Sequence, residues 1–260
     1  MVDWLYSFPE LVLAAMFSAA LMIPLVVLPW LIRRLSILKP SPERTSFTQP
    51  IASTLFNIAS LVLAFSLVQA QGNDRQLDTL ATSEAVAINN LDRLLARYGD
   101  PAAVAVRPTL LAYAEAIVRD EWQAMLKGRD STATRLAFRD VSQGVLALTP
   151  QPGRQTILYA EAVKSLDGIA DMRQARLGSV SVRLPALYWF AVAFAIGVLI
   201  LINCTLDSKG FRTVVLVAQA AVLGLFVGVV FITDQPYKGE SGLKPDELVK
   251  VIGFMKARDA

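Results

Sequence analysis

The sequence predicts an all-α membrane protein: four transmembrane helices, with a water-exposed helical domain inserted between the second and third. Three observations carry this. The 260-residue chain is 54% hydrophobic with a mean hydropathy of +0.47, and only 18% of it is charged, against about 25% in an average soluble domain. The apolar excess is gathered into four charge-free stretches, each able to supply the roughly 20 helical residues that a hydrocarbon core requires. A mixed-charge segment with helical periodicity separates the second stretch from the third. Charge near the bilayer centre is costly, so its absence over such lengths is itself informative. A conventional soluble enzyme is excluded.

The predicted organisation is residues 1–71 with helices 1 and 2, 72–183 as the helical domain continuous with helix 2, 184–233 as a hairpin of helices 3 and 4, and 234–260 as a polar tail with a short helix. The first span is 11–32. Asp3 and Glu10 precede it, with no Lys or Arg and no small-residue cleavage site after it, so it reads as retained and not as a cleaved signal. Pro24 and Pro29 predict a kink or an early break. Trp4, Tyr6 and Trp30 suit the interfaces, as Tyr188 and Trp189 do at the start of the third span. The second span lies within 45–73 with its apolar centre at 51–68; the third is 184–206 and the fourth 213–233. A tight turn at 207–210 makes the last two antiparallel neighbours. Gly224 and Gly228 predict a close helix contact.

Charge limits function and leaves orientation open. The net charge of +3 does not call for nucleic acid, and there is no His, which removes His metal sites, His bases and His pH switches. No metal, cofactor or catalytic constellation is expected. The single cysteine, Cys204, lies in an apolar run and reads as packing. An even number of spans puts both termini and the domain on one side. Near the spans, Arg33, Arg34, Lys39, Arg44, Lys209 and Arg212 face Arg75, Arg173, Arg176, Arg183, Lys238 and Lys244, six against six, so the positive-inside rule does not decide.

The middle segment carries 14 of the 25 basic and 13 of the 22 acidic residues. Its first helix continues out of span two through Leu77, Leu80, Glu84, Ile88, Leu91, Leu95 and Tyr98, past the weak point Gly72-Asn73, so one helix covers about 51–97. Gly99-Asp100-Pro101 ends it. A second helix covers 101–127, where Pro108 disturbs the early turns. A third, capped by Ser131, covers 132–148 with Leu136, Val141 and Val145 inward. A fourth covers 154–179 with Ile157, Leu166, Ile169 and Met172 on its apolar face, and breaks at Gly178-Ser179.

Glu84 and Glu121 interrupt apolar stripes, and a carboxylate on a packed face needs a charged or hydrogen-bonding partner. Arg173 and Arg176 are the candidates. These residues either form a buried network that gates or shapes an ion path, form a structural salt-bridge network, or stand at the stripe edge with their heads in water. In span two, Ser53, Asn57 and Ser60 share a face with Ala64, Leu67 and Gln71. An Asn within a span faces protein or water, not lipid, so this face lines a pore or makes a helix contact.

A set of landmarks stands out along the chain: Glu84 in SEAVAINNL, Tyr113 and Glu121-Trp122 in YAEAIVRDEW, Arg173 to Leu177, Leu184-Pro185, and Asp234-Gln235-Pro236-Tyr237-Lys238-Gly239. In these pieces and their order the chain resembles the DUF4239 family of bestrophin-like bacterial proteins. The resemblance covers nearly the whole chain. It implies four transmembrane helices, a cytoplasmic helical domain and cytoplasmic termini in a bacterial inner (plasma) membrane. It also implies homo-oligomers, pentameric by family analogy, around an anion pore (chloride, for example) lined by span two. Where bestrophins place aromatic rings in a pore neck, span two offers Phe56 and Phe65 on different sides of the helix, and the calcium-binding acidic cluster of animal bestrophins has no counterpart.

In the tail, Asp234, Pro236, Tyr237 and Gly239 read either as an interface turn that fixes helix 4 against the domain or as an ordinary membrane-exit loop, followed by a final helix after Pro245 bearing Leu248, Ile252 and Met255. The leading reading is an oligomeric bestrophin-like ion channel, not an enzyme. The alternative is a non-conducting membrane scaffold whose helical domain binds a protein partner.

Overall fold

A computed structural model describes residues 3–34, 42–179, 183–206, 210–235 and 237–259. Among these residues there is no strand, and the order is a 3₁₀ turn (Asp3–Ser7), α1 (Glu10–Arg34), α2 (Pro42–Tyr98), α3 (Pro101–Ala116), a π-helical turn (Ile117–Glu121), α4 (Trp122–Leu126), α5 (Thr132–Leu146), α6 (Arg154–Ser179), α7 (Ala186–Asn203), α8 (Phe211–Thr233) and α9 (Asp246–Asp259). The chain forms two compact units, residues 1–73 with 183–242 and residues 74–182 with 243–260.

The first unit is built on α1, the N-terminal part of α2, α7 and α8. Its core gathers Leu21 and Leu25 of α1, Ala59 and Leu63 of α2, Val192 and Leu199 of α7, and Leu223 and Val227 of α8. The early break at Pro24 and Pro29 does not occur; α1 runs through both. Each proline forfeits one backbone bond, but breaking the helix would free more polar groups where no water can satisfy them. Gly224 and Gly228 turn towards α1. A Cβ on Gly224 would stand 2.6 Å from the Ser18 Cα, and one on Gly228 would stand 3.0 Å from the Ala14 Cα. Ser18 Oγ donates to the Ala221 carbonyl at 2.9 Å. The close partner of α8 is therefore α1 and not the sequence neighbour α7. Residues 207–209 of the predicted turn lie outside the described residues.

In α2 the helix begins earlier than the sequence predicts, at Pro42, and passes through Pro50 and Gly72 without interruption. The boundary between the units falls at Asn73 and Asp74, beside that glycine.

The second unit is a helical assembly around Ile88, Leu91 and Leu95 of α2, Leu110, Tyr113 and Ala114 of α3, Val141 and Val145 of α5, Leu166 and Ile169 of α6, and Leu248 and Met255 of α9. The tail helix thus belongs with the helical unit. Gly99 adopts φ 79° and Asp100 caps α3, accepting from the Ala102 amide at 2.7 Å with Pro101 in the first turn. Ser131 caps α5 from the Thr134 amide at 3.2 Å. Pro108 sits inside an unbroken α3. Leu136 and Ile157, expected inward, are exposed. α6 runs over Arg154–Ser179, the bounds that the sequence predicts, and ends at the Gly178-Ser179 step.

Among the described residues, five helices are long and apolar enough to cross a membrane, where the sequence reading expects four. The additional one is Pro101–Leu126. Its most apolar window is 44% buried, against 17–39% in the others. Its apolar side chains serve the core of the second unit, where Leu110, Tyr113, Ala114, Ile117 and Met125 are buried.

Candidate functional site

Two features carry chemistry. The first is a chain of ionised side chains in the helical unit. Glu84 comes from α2, Glu121 from the π-helical turn, and Arg173 and Arg176 from one face of α6, three residues apart. Glu84, Glu121 and Arg176 are fully buried. Arg176 Nε donates to Glu84 Oε2 at 2.6 Å and Nη2 to Glu84 Oε1 at 3.2 Å, while Nη2 also reaches Glu121 Oε2 at 2.7 Å. Arg173 Nε donates to both Glu121 oxygens at 3.1 and 3.2 Å, and its Nη2 makes a further bond to Oε1. The Tyr113 hydroxyl donates to Glu84 Oε1 at 3.0 Å. The Trp122 ring lies 5.7 Å from the Arg176 guanidinium carbon, within cation–π range.

Two carboxylates and two guanidinium groups make the cluster neutral, and every carboxylate oxygen has a donor, which is what burial of charge requires. Burial alone would lower the pKa of Arg176 and Arg173; the adjoining carboxylates outweigh it and raise both above the ordinary value. Burial, then the Glu84 charge, pushes the Tyr113 hydroxyl well above its usual value. Among the described residues no group of three His, Cys, Asp or Glu side chains gathers to hold a metal.

The π-helical turn positions Glu121. Such a turn inserts an extra residue and rotates the helix beyond it. The Ala116 carbonyl, at its start, accepts from Thr134 Oγ1 of α5 at 3.1 Å. Nothing in the sequence marks this turn.

A second buried network escapes the sequence reading. Asp92, 1% exposed, accepts from Arg107 Nε at 2.8 Å and pairs with Arg258 of α9 at 3.0 Å. Its signal was present: Asp92 stands four residues after Ile88 on the same apolar stripe, as Glu84 stands four before it.

The tail turn acts within the first unit. Asp234 Oδ1 accepts from the Leu184 amide at 2.7 Å, tying the end of α8 to the chain entering α7. Tyr237 is buried. Gly239 adopts φ 87° beside Glu10, whose Oε1 accepts from the Ser241 amide at 2.7 Å. Pro236 lies outside the described residues.

The second feature is the membrane portion of α2, which carries three stripes. Ala59, Leu63, Ser66 and Ala70 are buried. Ile58, Leu61, Phe65 and Val68 are exposed and apolar. Between them, roughly a third of a turn from the buried stripe, lie the predicted polar positions. Ser53, Asn57, Ala64 and Gln71 are exposed, while Ser60 and Leu67 are half-buried; Leu67 leans on the apolar core. Among the described residues of one chain, Ser53, Asn57, Ala64 and Gln71 of this face stay uncovered. This face belongs to the first unit and the charge network to the second.

These elements have counterparts in known proteins. A crystal structure of a bacterial bestrophin homologue from Klebsiella pneumoniae, in a point-mutant form, superposes with a TM-score of 0.68 at 13% identity, covering 96% of this chain and 99% of that one. Another structure of a bacterial bestrophin homologue from the same organism, phased on zinc, gives 0.67 at 13% identity, with 95% and 97% covered. A structure described as a mutant membrane protein gives 0.64 at 13% identity, covering 95% and 96%. No curated protein sequence matches the chain. At such identities the likeness concerns the fold. The family model described as the bestrophin-like domain matches residues 19–248. This family is not a catalytic one, in agreement with the expectation of a non-enzyme. With nearly its whole length matched, the chain belongs to the bestrophin-like family.

Proposed function

We propose that this chain is one subunit of an oligomeric ion channel whose path is lined by the polar stripe of α2. The observation that carries the reading is that stripe: Ser53, Asn57 and Gln71 are open on a membrane helix whose apolar faces are already assigned to core and to lipid. Hydrocarbon offers an amide no hydrogen-bond partner. A closed ring of identical chains brings the stripes around one axis, where water or a neighbouring copy serves them.

In this reading four helices cross the bilayer: α1, the first part of α2, α7 and α8. The fifth apolar helix stays in the helical domain, since it carries Arg107, Arg119, Asp120 and Glu121, each costly at mid-bilayer. The finer assignments follow the family resemblance: the DUF4239 branch, a pentamer, an anion such as chloride, and a cytoplasmic helical domain in a bacterial inner membrane. The stripe holds no charged residue, so charge selection belongs to the mouths and the domain. The buried network of Glu84, Glu121, Arg173 and Arg176 holds the helices of the domain in one arrangement.

Reconstitution into liposomes tests this. The assembled wild-type oligomer should pass ions, and Asn57→Leu should cut flux at least tenfold while particle size is unchanged. An assembled oligomer without flux, or a variant that falls apart without any flux to lose, supports the scaffold reading instead.

A further inference from the structure

A small cavity in the first unit lies between α2, α7 and α8, with a volume of about 80 Å³. Gln49, Ser53, Asn203 and Gln219 supply its polar walls, and Leu206 and Leu216 supply apolar ones. Gln49 and Ser53 are exposed at its mouth, whereas Asn203 is only 5% exposed. The Asn203 Oδ1 finds no hydrogen-bond partner among the described residues. A buried carbonyl oxygen of this kind is costly unless a donor reaches it. Another cavity at these helices, lined by Ala59, Val62, Leu63, Val192, Ala195 and Leu223, is walled by apolar side chains.

We infer that the Asn203 cavity is a hydration site, taking about two or three water molecules at roughly 30 Å³ each, one of them donating to Asn203 Oδ1. The amide and hydroxyl groups of Gln49, Ser53, Asn203 and Gln219 give such waters the two to four polar partners that a buried water needs. Ser53 belongs both to this cavity and to the polar stripe of α2. The cavity therefore wets one end of the stripe from within the subunit, as a side port to the surface that the stripe presents. Hydration here depends on the geometry of a single chain and stands apart from the channel reading, because its test does not measure flux.

The direct test is a high-resolution map of the full-length protein in nanodiscs. Water density within hydrogen-bonding distance of Asn203 Oδ1, connected to the Ser53 side, is the expected result. A cavity without solvent density overturns the inference. So does a cavity filled by a side chain from residues 207–209 or from a neighbouring copy. A second measurement uses a Cys204→Ala background, with Gln219→Cys compared with Ala195→Cys in the apolar cavity. A charged, membrane-impermeant methanethiosulfonate reagent should modify the former at least tenfold faster. Equal rates would overturn the inference.

Discussion

Arg176 shows how a single side chain organises the helical unit. It is fully buried, bridges Glu84 and Glu121, and stacks near Trp122. Removing one member of a buried ion pair strands its partner, at about 3–5 kcal/mol. Arg176→Met should therefore lower the stability of the helical unit by about that amount, read as loss of helical circular dichroism on heating. Arg176→Lys should recover only part of it, because a point charge cannot serve two carboxylates as a planar fork does. Tyr113 supplies a pH signature. Its folded pKa is raised, so its contribution is complete below the unfolded value near 10 and is lost as pH climbs through the folded one. Stability should fall on the alkaline side of about pH 10, and Tyr113→Phe should flatten that limb while costing about 1–3 kcal/mol at neutral pH for the lost bond to a charged acceptor. Carboxylates standing on apolar stripes made Glu84 and Glu121 legible in the sequence. Which guanidinium served which oxygen was not legible, because α2, the π-helical turn and α6 meet only in the folded chain.

Among the elements, α8 depends on its two glycines. A Cβ on Gly224 would meet backbone atoms of Ser18, which cannot rotate away. Gly224→Ala should push α1 and α8 apart and destabilise the first unit by about 1–3 kcal/mol. Gly197→Ala is the control, since its Cβ would meet nothing within 4 Å. Thermal aggregation of the detergent-solubilised variants distinguishes them, and equal behaviour would contradict the packing account. Small residues four apart announced a close contact, but the partner depended on how the helices assembled. The π-helical turn is similarly opaque: Ile117 to Glu121 read as ordinary helix, and the departure is accompanied by the bond from Thr134 to the Ala116 carbonyl.

For the whole molecule the number of crossings is decisive. Four crossings put the N-terminus and the tail on one side, while a fifth crossing by Pro101–Leu126 would separate them. Epitope tags at the two ends of the full chain should be accessible from the same face of sealed vesicles. Accessibility from opposite faces would remove the four-helix topology. A cysteine at exposed Val86 of the helical unit should label from that same face.

The sequence by itself determined the charge-free spans, the helical character of the intervening segment and the two carboxylates that had to be neutralised. These are local properties, since hydropathy and periodicity are written residue by residue along the chain. Tertiary structure alone decided that Gly224 faces Ser18, that Asp92 joins Arg107 and Arg258, that Asn203 lies buried beside Gln219, and that the face bearing Asn57 stays open. Those outcomes depend on which helix face meets which neighbour. An amphipathic pattern states that a face will be covered, but not by what, because the covering side chains come from distant segments whose approach is set by packing of the whole fold.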